Sequence, residues 1–231
     1  MNKIAIVTRA DDNIKEMTDI TFLSIKSYAS KVGADFIVLS DPPPFLTPDN
    51  KPHYRILKVG DLLNEYDRIL CIDSDVIVNK SCPNIFNIVP EDKVGSIYED
   101  KGSRRPSRLD LIKNIQRHWG EVGWKEGYTN AGTFLVSKKH KNIFTSHEGQ
   151  YWLDWGSADL HLSYNIHKYK HKVHELDFRW NHMTMFSESW NGNPNRFESY
   201  IIHYAGGGVF DPKYKNRTSQ IKADYNQIYQ N

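Results

Sequence analysis

The residues best suited by type and spacing to do chemistry are Asp73-Ser74-Asp75, set between the apolar runs Ile69-Leu70-Cys71-Ile72 and Val76-Ile77-Val78. A continuous apolar run closed by polar residues reads as a strand buried on both faces. Two carboxylates one residue apart at its end can serve a divalent cation, because hard cations take carboxylate oxygens. The competing account is a pair of aspartates that cap a turn through their side chains, and the stretch alone leaves both open. Near the carboxyl terminus, Tyr200-Ile201-Ile202-His203-Tyr204 reads as a strand that delivers a histidine into Ala205-Gly206-Gly207-Gly208. Glycines let backbone amides approach an anion closely, so Gly206 to Gly208 suits a phosphate nest, with Lys213 or Lys215 adding a charge-assisted contact. A flexible glycine loop explains the run equally well. The one basic cluster, Arg104, Arg105 and Arg108, falls in a segment, 99–108, that reads as a mobile loop, either a lid or a solvated face.

These residues need a frame. Ile4-Ala5-Ile6-Val7 is predicted to be a buried strand that ends at Thr8-Arg9-Ala10-Asp11-Asp12-Asn13. Met17, Ile20, Leu23, Tyr28 and Val32 then mark a helix stopping at Gly33. Phe36 to Leu39 is a second strand, and a Pro-rich loop runs from Asp41 to about Pro52. Ile56, Val59, Leu62 and Leu63 mark a second helix, with Arg55 and Lys58 on its other faces. Strand, helix, strand, helix, strand is the pattern of a parallel α/β sheet, in which ligands collect at the carboxyl ends of the strands. Residues 8–13 and Asp73 to Asp75 both occupy such ends. Further strands are expected at Val94 to Tyr98, across Tyr128 to Val136 and at Val173 to Leu176, with helices at Leu109 to Trp119 and from Ser157. A tail helix, capped by Thr218 or Ser219, carries Ile221, Tyr225, Ile228 and Tyr229 on one face. The expectation is one α/β domain over residues 1–231, with a central, mostly parallel mixed sheet flanked by helices.

Composition narrows the function classes. Thirty Lys and Arg against 28 Asp and Glu leave a net charge of +2, with no like-charged block of the kind that binds nucleic acid. Two cysteines suit a reducing compartment. No apolar stretch is long enough for a signal peptide or a membrane span, so a cytoplasmic location is expected. All six Trp lie after residue 118, a first sign that the two halves of the chain do different work.

Taken in order, these landmarks resemble the GT-A nucleotide-sugar glycosyltransferases, nearest to families 8 and 34, from about residue 3 to about residue 211. Ala10-Asp11-Asp12-Asn13 resembles the nucleoside-binding turn, which extends the expected donor contacts over Thr8, Arg9, Ala10, Asp11 and Asn13. Lys58 is similar to a basic residue that faces the donor. Asp73-Ser74-Asp75 resembles the metal motif, and Asn130-Ala131-Gly132 the segment that lines the donor sugar. Trp180-Asn181 and Ile202-His203-Tyr204-Ala205-Gly206 match a late Trp-Asn and the histidine segment that completes the metal site. The resemblance implies a nucleotide-sugar donor, most readily UDP-linked, and a carbohydrate or glycan acceptor. It implies Asp75 and His203 as direct ligands of Mn²⁺, or of Mg²⁺ in its place, with Asp73 bound through water or holding the ribose. Asp73, Ser74, Asn130, Ala131, Gly132, Gly206 and Lys213 would contact the donor. Residues 1–98 or so would then hold the nucleotide, and residues from about 99 to 231 the sugar and acceptor.

One departure bears on the chemistry. Family 8 enzymes usually carry Asp-Gln-Asp near Ser157-Ala158-Asp159, where this chain keeps only Asp159. Asp159 is therefore the first candidate catalytic carboxylate and Asp154 the reserve, with retention of anomeric configuration the stereochemistry the families imply. Two rival readings remain. Asp73 also fits the nucleophile of a haloacid-dehalogenase phosphatase, although two strand–helix units precede it here. A non-catalytic sugar-binding module would keep the aromatics without needing both Asp75 and His203.

Overall fold

The computed structural model describes residues 2–41 and 51–230, so the Pro-rich stretch 42–50 lies outside the described residues. Strand β1 (Ile4–Arg9) leads through a short 3₁₀ turn into helix α1 (Lys15–Val32), which Gly33 closes in a left-handed conformation (φ 73°). That φ is open to glycine without steric cost. Strand β2 (Asp35–Leu39) follows. The second predicted helix is broken into three pieces: α2 (Lys51–Tyr54), a 3₁₀ turn (Arg55–Lys58) and α3 (Val59–Leu62). Strand β3 (Arg68–Ile72) comes next, every residue of it buried.

Alternation along β3 explains the unbroken apolar run. Ile69 and Cys71 pack into the core on one face of the sheet, with Ala5 and Val7 of β1. Leu70 and Ile72 pack into the core on the other face, with Ile6. A strand covered on both sides needs apolar residues at every position. Cys71 serves as a small hydrophobe there, its thiol pushed up to about 12 by burial.

The remaining elements are β4 (Val76–Val78), β5 (Lys93–Tyr98), α4 (Arg105–Trp119), β6 (Thr129–Ser137), α5 (Ser157–Lys168), β7 (Lys172–Glu175), β8 (Ile201–His203) and α6 (Arg217–Tyr229). Six strands form the central sheet in the order β2-β1-β3-β6-β5-β7. The pairs β1–β2, β1–β3 and β5–β7 are parallel, and β6 runs antiparallel to both β3 and β5. Reversal of β6 brings its first residues to the edge where β1, β3 and β5 end. Strands β4 and β8 form a separate antiparallel ribbon. Ile77 and Ile202 of the ribbon pack in one cluster with Met17 of α1 and Ile221 of α6.

Two local expectations need correction. Segment 99–108 is ordered: Glu99 and Asp100 are buried, a 3₁₀ turn spans Gly102–Arg104, and α4 starts at Arg105 with Pro106 in its first turn. Proline is favoured there because its missing N–H has no intrahelical partner to lose. The cap of α6 is Asn216, whose side chain accepts from the Ser219 backbone N–H at 2.9 Å. Ser219, read from sequence as a possible cap, instead occupies the third helical position, where its Oγ accepts from the Asn216 N–H at 3.4 Å.

Candidate active site

A cleft of about 780 Å³ opens where β1, β3 and β5 end and β6 begins. Arg9 reaches it from the end of β1, Asp73 from just past β3, Glu99 from just past β5 and Asn130 from the start of β6. Asp159 enters from the first turn of α5. The ribbon supplies the rest. Val76 pairs with His203, and the Tyr204 N–H donates to the Asp75 carbonyl at 3.0 Å, so the ribbon holds the Asp75 backbone against the strand that carries the imidazole. His203 Nε2 lies 3.2 Å from Asp75 Oδ1 and 3.6 Å from Asp73 Oδ2. One ligand atom from each of Asp73, Asp75 and His203 falls within 4.8 Å of the others, the one such group among the described residues.

The histidine tautomer follows from its neighbours. The Gly132 N–H can only donate, and it does so to Asn130 Oδ1 at 2.8 Å, while Asn130 Nδ2 donates to Glu99 Oε2 at 3.0 Å. With its oxygen thus assigned, Asn130 accepts Asn181 Nδ2 at 2.8 Å. Asn181 Oδ1 is left to accept from His203 Nδ1 at 2.7 Å. Nδ1 therefore carries a proton, and Nε2 is the ring nitrogen turned to the carboxylates, the orientation of a metal-ligating histidine held by an outer partner. Two carboxylates and an imidazole nitrogen fit a divalent cation of the Mn²⁺ or Mg²⁺ type. Gly132 makes this packing possible, since a Cβ there would come within 2.7 Å of both Asn130 Oδ1 and His203 Cε1.

Charge in the cleft is balanced closely. Burial pushes the Asp75 carboxyl up, but His203 and the Arg217 guanidinium outweigh it and hold the group below its ordinary value. Arg217 Nη1 reaches Asp75 Oδ2 at 2.8 Å and the Gly206 carbonyl at 3.0 Å. Arg9 pairs with Asp73. Glu99 is buried yet kept ionised, because Arg108 (2.6 Å) and Arg104 both donate to it. Asp159 accepts from the Ala131 N–H at 3.1 Å; burial, with Glu99 adding, pushes its carboxyl up to about 6.

The comparisons with known proteins bear on this arrangement. The sequence model of a family described as glycosyl transferase family 8 matches residues 50–208. The chain belongs to glycosyl transferase family 8. No curated protein sequence matches it. Solved structures similar to it include a glycosyltransferase involved in glycosylation of the major capsid of PBCV-1, at 15% identity and a TM-score of 0.62 over 96% of this chain and 99% of that one. The galactosyltransferase LgtC is similar at 17% identity and a TM-score of 0.61, over 97% and 96% of the two chains. GlyE of Streptococcus pneumoniae gives 14% and 0.59, over 96% of this chain and 60% of that one. The fold is thus GT-A-like, and the enzyme is a glycosyltransferase.

Within this family 8 domain, Arg9, Asp11, Asn13, Asp73, Ser74, Asp75, Asn130, Asp154, Asp159, His203 and Gly206 all line the one cleft. Thr8 and Ala10 are buried beside it, and Ala131 and Gly132 contribute backbone amides rather than surface. Lys58 turns away to Asp41, 3.6 Å distant. One helical turn earlier, Arg55 lies in the cleft wall, its Nη2 2.7 Å from Asp11 Oδ2. Lys213 is exposed and pairs with Asp211 at 2.8 Å, and the basic residue of the C-terminal segment in the cleft is Arg217. Sequence reasoning missed Arg217, Glu99 and Arg55. Of these only Arg55 left a signal, its three-residue spacing from Lys58 on a helical segment.

Proposed function

We propose that the enzyme is a metal-dependent, retaining transferase that moves a sugar from a nucleotide-sugar donor, UDP-linked by preference, to a carbohydrate or glycan acceptor. One observation carries the reading: Asp73, Asp75 and Nε2 of His203 converge at the strand ends of a cleft in a family 8 glycosyltransferase. A divalent cation held by Asp75 and His203, with Asp73 in support, supplies Lewis-acid stabilisation of the diphosphate leaving group. Mn²⁺ fits the mixed donor set best, and Mg²⁺ is the substitute. A solved Drosophila β1,4-galactosyltransferase 7, similar in fold at a TM-score of 0.50 and 14% identity, is described in complex with manganese, UDP-Gal and xylobiose.

The chain's own groups divide the remaining work. Asp11, held below its ordinary pKa chiefly by the Arg55 hydrogen bond, sits with Asn13 at the mouth of β1, where the nucleoside would bind. Arg9 and Arg217 neutralise the outer oxygens of Asp73 and Asp75, and with those carboxylates holding a cation both guanidiniums would be placed to meet phosphate. Glu99 and Asn130 would meet the sugar hydroxyls. Asp159 is the carboxylate for the reacting centre, either stabilising developing positive charge or taking the acceptor proton. Asp154, exposed at the rim and accepting from the Trp155 N–H at 2.7 Å, is the reserve. Residues 1–98 or so make the nucleotide half, and the remainder the sugar and acceptor half. The phosphatase reading of Asp73 has no comparable support, because the family that matches is one of glycosyltransferases and Arg9 occupies one oxygen of the Asp73 carboxylate.

The test is donor hydrolysis and transfer with UDP-, GDP- and CMP-sugars in the presence of Mn²⁺, with the anomer of the product read by NMR. UDP-sugars should be consumed, and Asp75→Ala should lower the rate by at least about 10²-fold, the scale of losing one electrostatic stabiliser. Unchanged turnover in excess chelator would remove the metal from the mechanism.

A further inference from the structure

A second cleft, of about 320 Å³, borders the same segment as the first. Glu99 and Arg104 line the larger cleft, and Lys101, between them in sequence, lines the smaller. Gly102 is pressed against the indole of Trp190, and a Cβ there would overlap the ring. Ser103 donates to Glu188 at 3.0 Å, which ties the segment to the Trp190 loop a second time.

The lining has a specific chemistry. Trp190 is 40% exposed although its N–H is already bonded to the Met185 carbonyl at 3.1 Å, so what it offers the cleft is ring surface. Phe178 and Phe186, stacked at 5.7 Å, and Tyr98 extend the apolar wall. Around it stand Glu175, ion-paired to Lys101, and Asp177, paired to Arg179 at 2.8 Å. With each carboxylate already matched by a cation, the rim offers no net charge to an ionic ligand, and a purely apolar one would cover these charged groups and take them out of water. A neutral polyhydroxy ligand satisfies both surfaces, its C–H face on the rings and its hydroxyls on the carboxylates and the lysine.

We propose that this cleft is a carbohydrate subsite that holds a neutral oligosaccharide stretch of the acceptor while its reacting end lies in the larger cleft. The proposal rests on the transferase reading for the word acceptor, but the binding itself is measured separately. The Trp190 indole N–H resonance of the full chain, assigned by its loss in Trp190→Phe, is followed by NMR during titration with maltotriose, cellotriose, mannotriose and lactose. At least one should shift it, and saturating UDP with Mn²⁺ should leave that binding intact. Trp190→Ala, followed by ligand-detected NMR, should weaken it at least roughly fivefold, as truncation of an aromatic anchor does. Lys101→Ala, a change at a half-exposed position, should weaken it measurably and keeps the test decisive should Trp190→Ala unfold. No shift with any of the four sugars, a shift abolished by UDP and Mn²⁺, or equal affinity in Lys101→Ala overturns the subsite. Failure of UDP and Mn²⁺ to bind at all would instead sink the UDP- and metal-dependent reading of the larger cleft and leave the sugar result standing on its own.

Discussion

Asp159 is under two opposed demands. It lies in the first turn of α5, where the helix dipole favours a negative charge, yet burial and the nearby Glu99 push its carboxyl up to about 6. The sign for stability follows directly. A carboxyl raised in the folded state contributes stability below its ordinary range, and that contribution is lost as pH rises through about 6. Asp159→Asn keeps the acceptor oxygen for the Ala131 N–H and removes the charge, so its Tm should exceed that of the wild type at pH 7.5 and match it near pH 3.5. Turnover should move the other way. The wild-type rate should climb with pH through an inflection near 6, and Asp159→Asn should lose that inflection along with roughly 10²–10⁴-fold in kcat, the range for an acid–base group. An unchanged pH profile would shift the catalytic assignment to Asp154. Asn181 works at one remove, by fixing the proton on His203. Asn181→Ala should weaken metal binding by about 10–100-fold, as loss of an outer-shell partner does. Isothermal titration of Mn²⁺ in the presence of UDP reads this independently of turnover, and an unaltered affinity would make Asn181 purely structural.

At the scale of elements, the β4–β8 ribbon and α6 show what was legible in the sequence. The strand β3 and its closing carboxylates could be read directly, because burial on both faces forces an apolar residue at each position and leaves Asp73 as the first polar break. Asp75 and His203 were recognised as partners only through family resemblance, since nothing local in a three-residue strand announces its pairing across the chain. Arg217 left no trace at all. Its place depends on Asn216 capping α6 two or three residues before the expected Thr218 or Ser219, and several polar residues there have comparable cap propensity. The buried Glu99 was hidden for a similar reason: the acidic and basic residues of 99–108 look solvated until Arg104 and Arg108 are seen folded back onto it. Cap and cation are thereby coupled. Asn216→Ala should cost about 1 kcal/mol of stability, the usual loss for a helix cap. It should also raise the KM for donor by loosening Arg217, whereas Arg217→Ala should raise KM with little loss of stability. A KM unchanged in both variants would remove Arg217 from donor binding.

Across the whole molecule, the cleft sets five arginines, Arg9, Arg55, Arg104, Arg108 and Arg217, among six carboxylates, Asp11, Asp73, Asp75, Glu99, Asp154 and Asp159. Neither a bare cation nor a bare diphosphate suits such a surface. A lone cation would have to displace Arg9 and Arg217 from Asp73 and Asp75, and a lone diphosphate would meet those same carboxylates without a cation between. Arriving together, a cation would be held by the aspartates while Arg9 and Arg217 would be released to meet phosphate, so each ligand should raise the affinity for the other equally. Melting curves can measure this coupling. With UDP and Mn²⁺ together at about 100 times Kd, the stabilisation should reach about 2.7 kcal/mol. At roughly 2–4 °C per kcal/mol for a chain of this size, Tm should rise by about 5–10 °C. UDP alone or Mn²⁺ alone should give a shift well under half of that, and added EDTA should return the curve to that of UDP alone. Equal shifts for UDP with and without metal would mean that Asp73, Asp75 and His203 do not bring cation and nucleotide into one site.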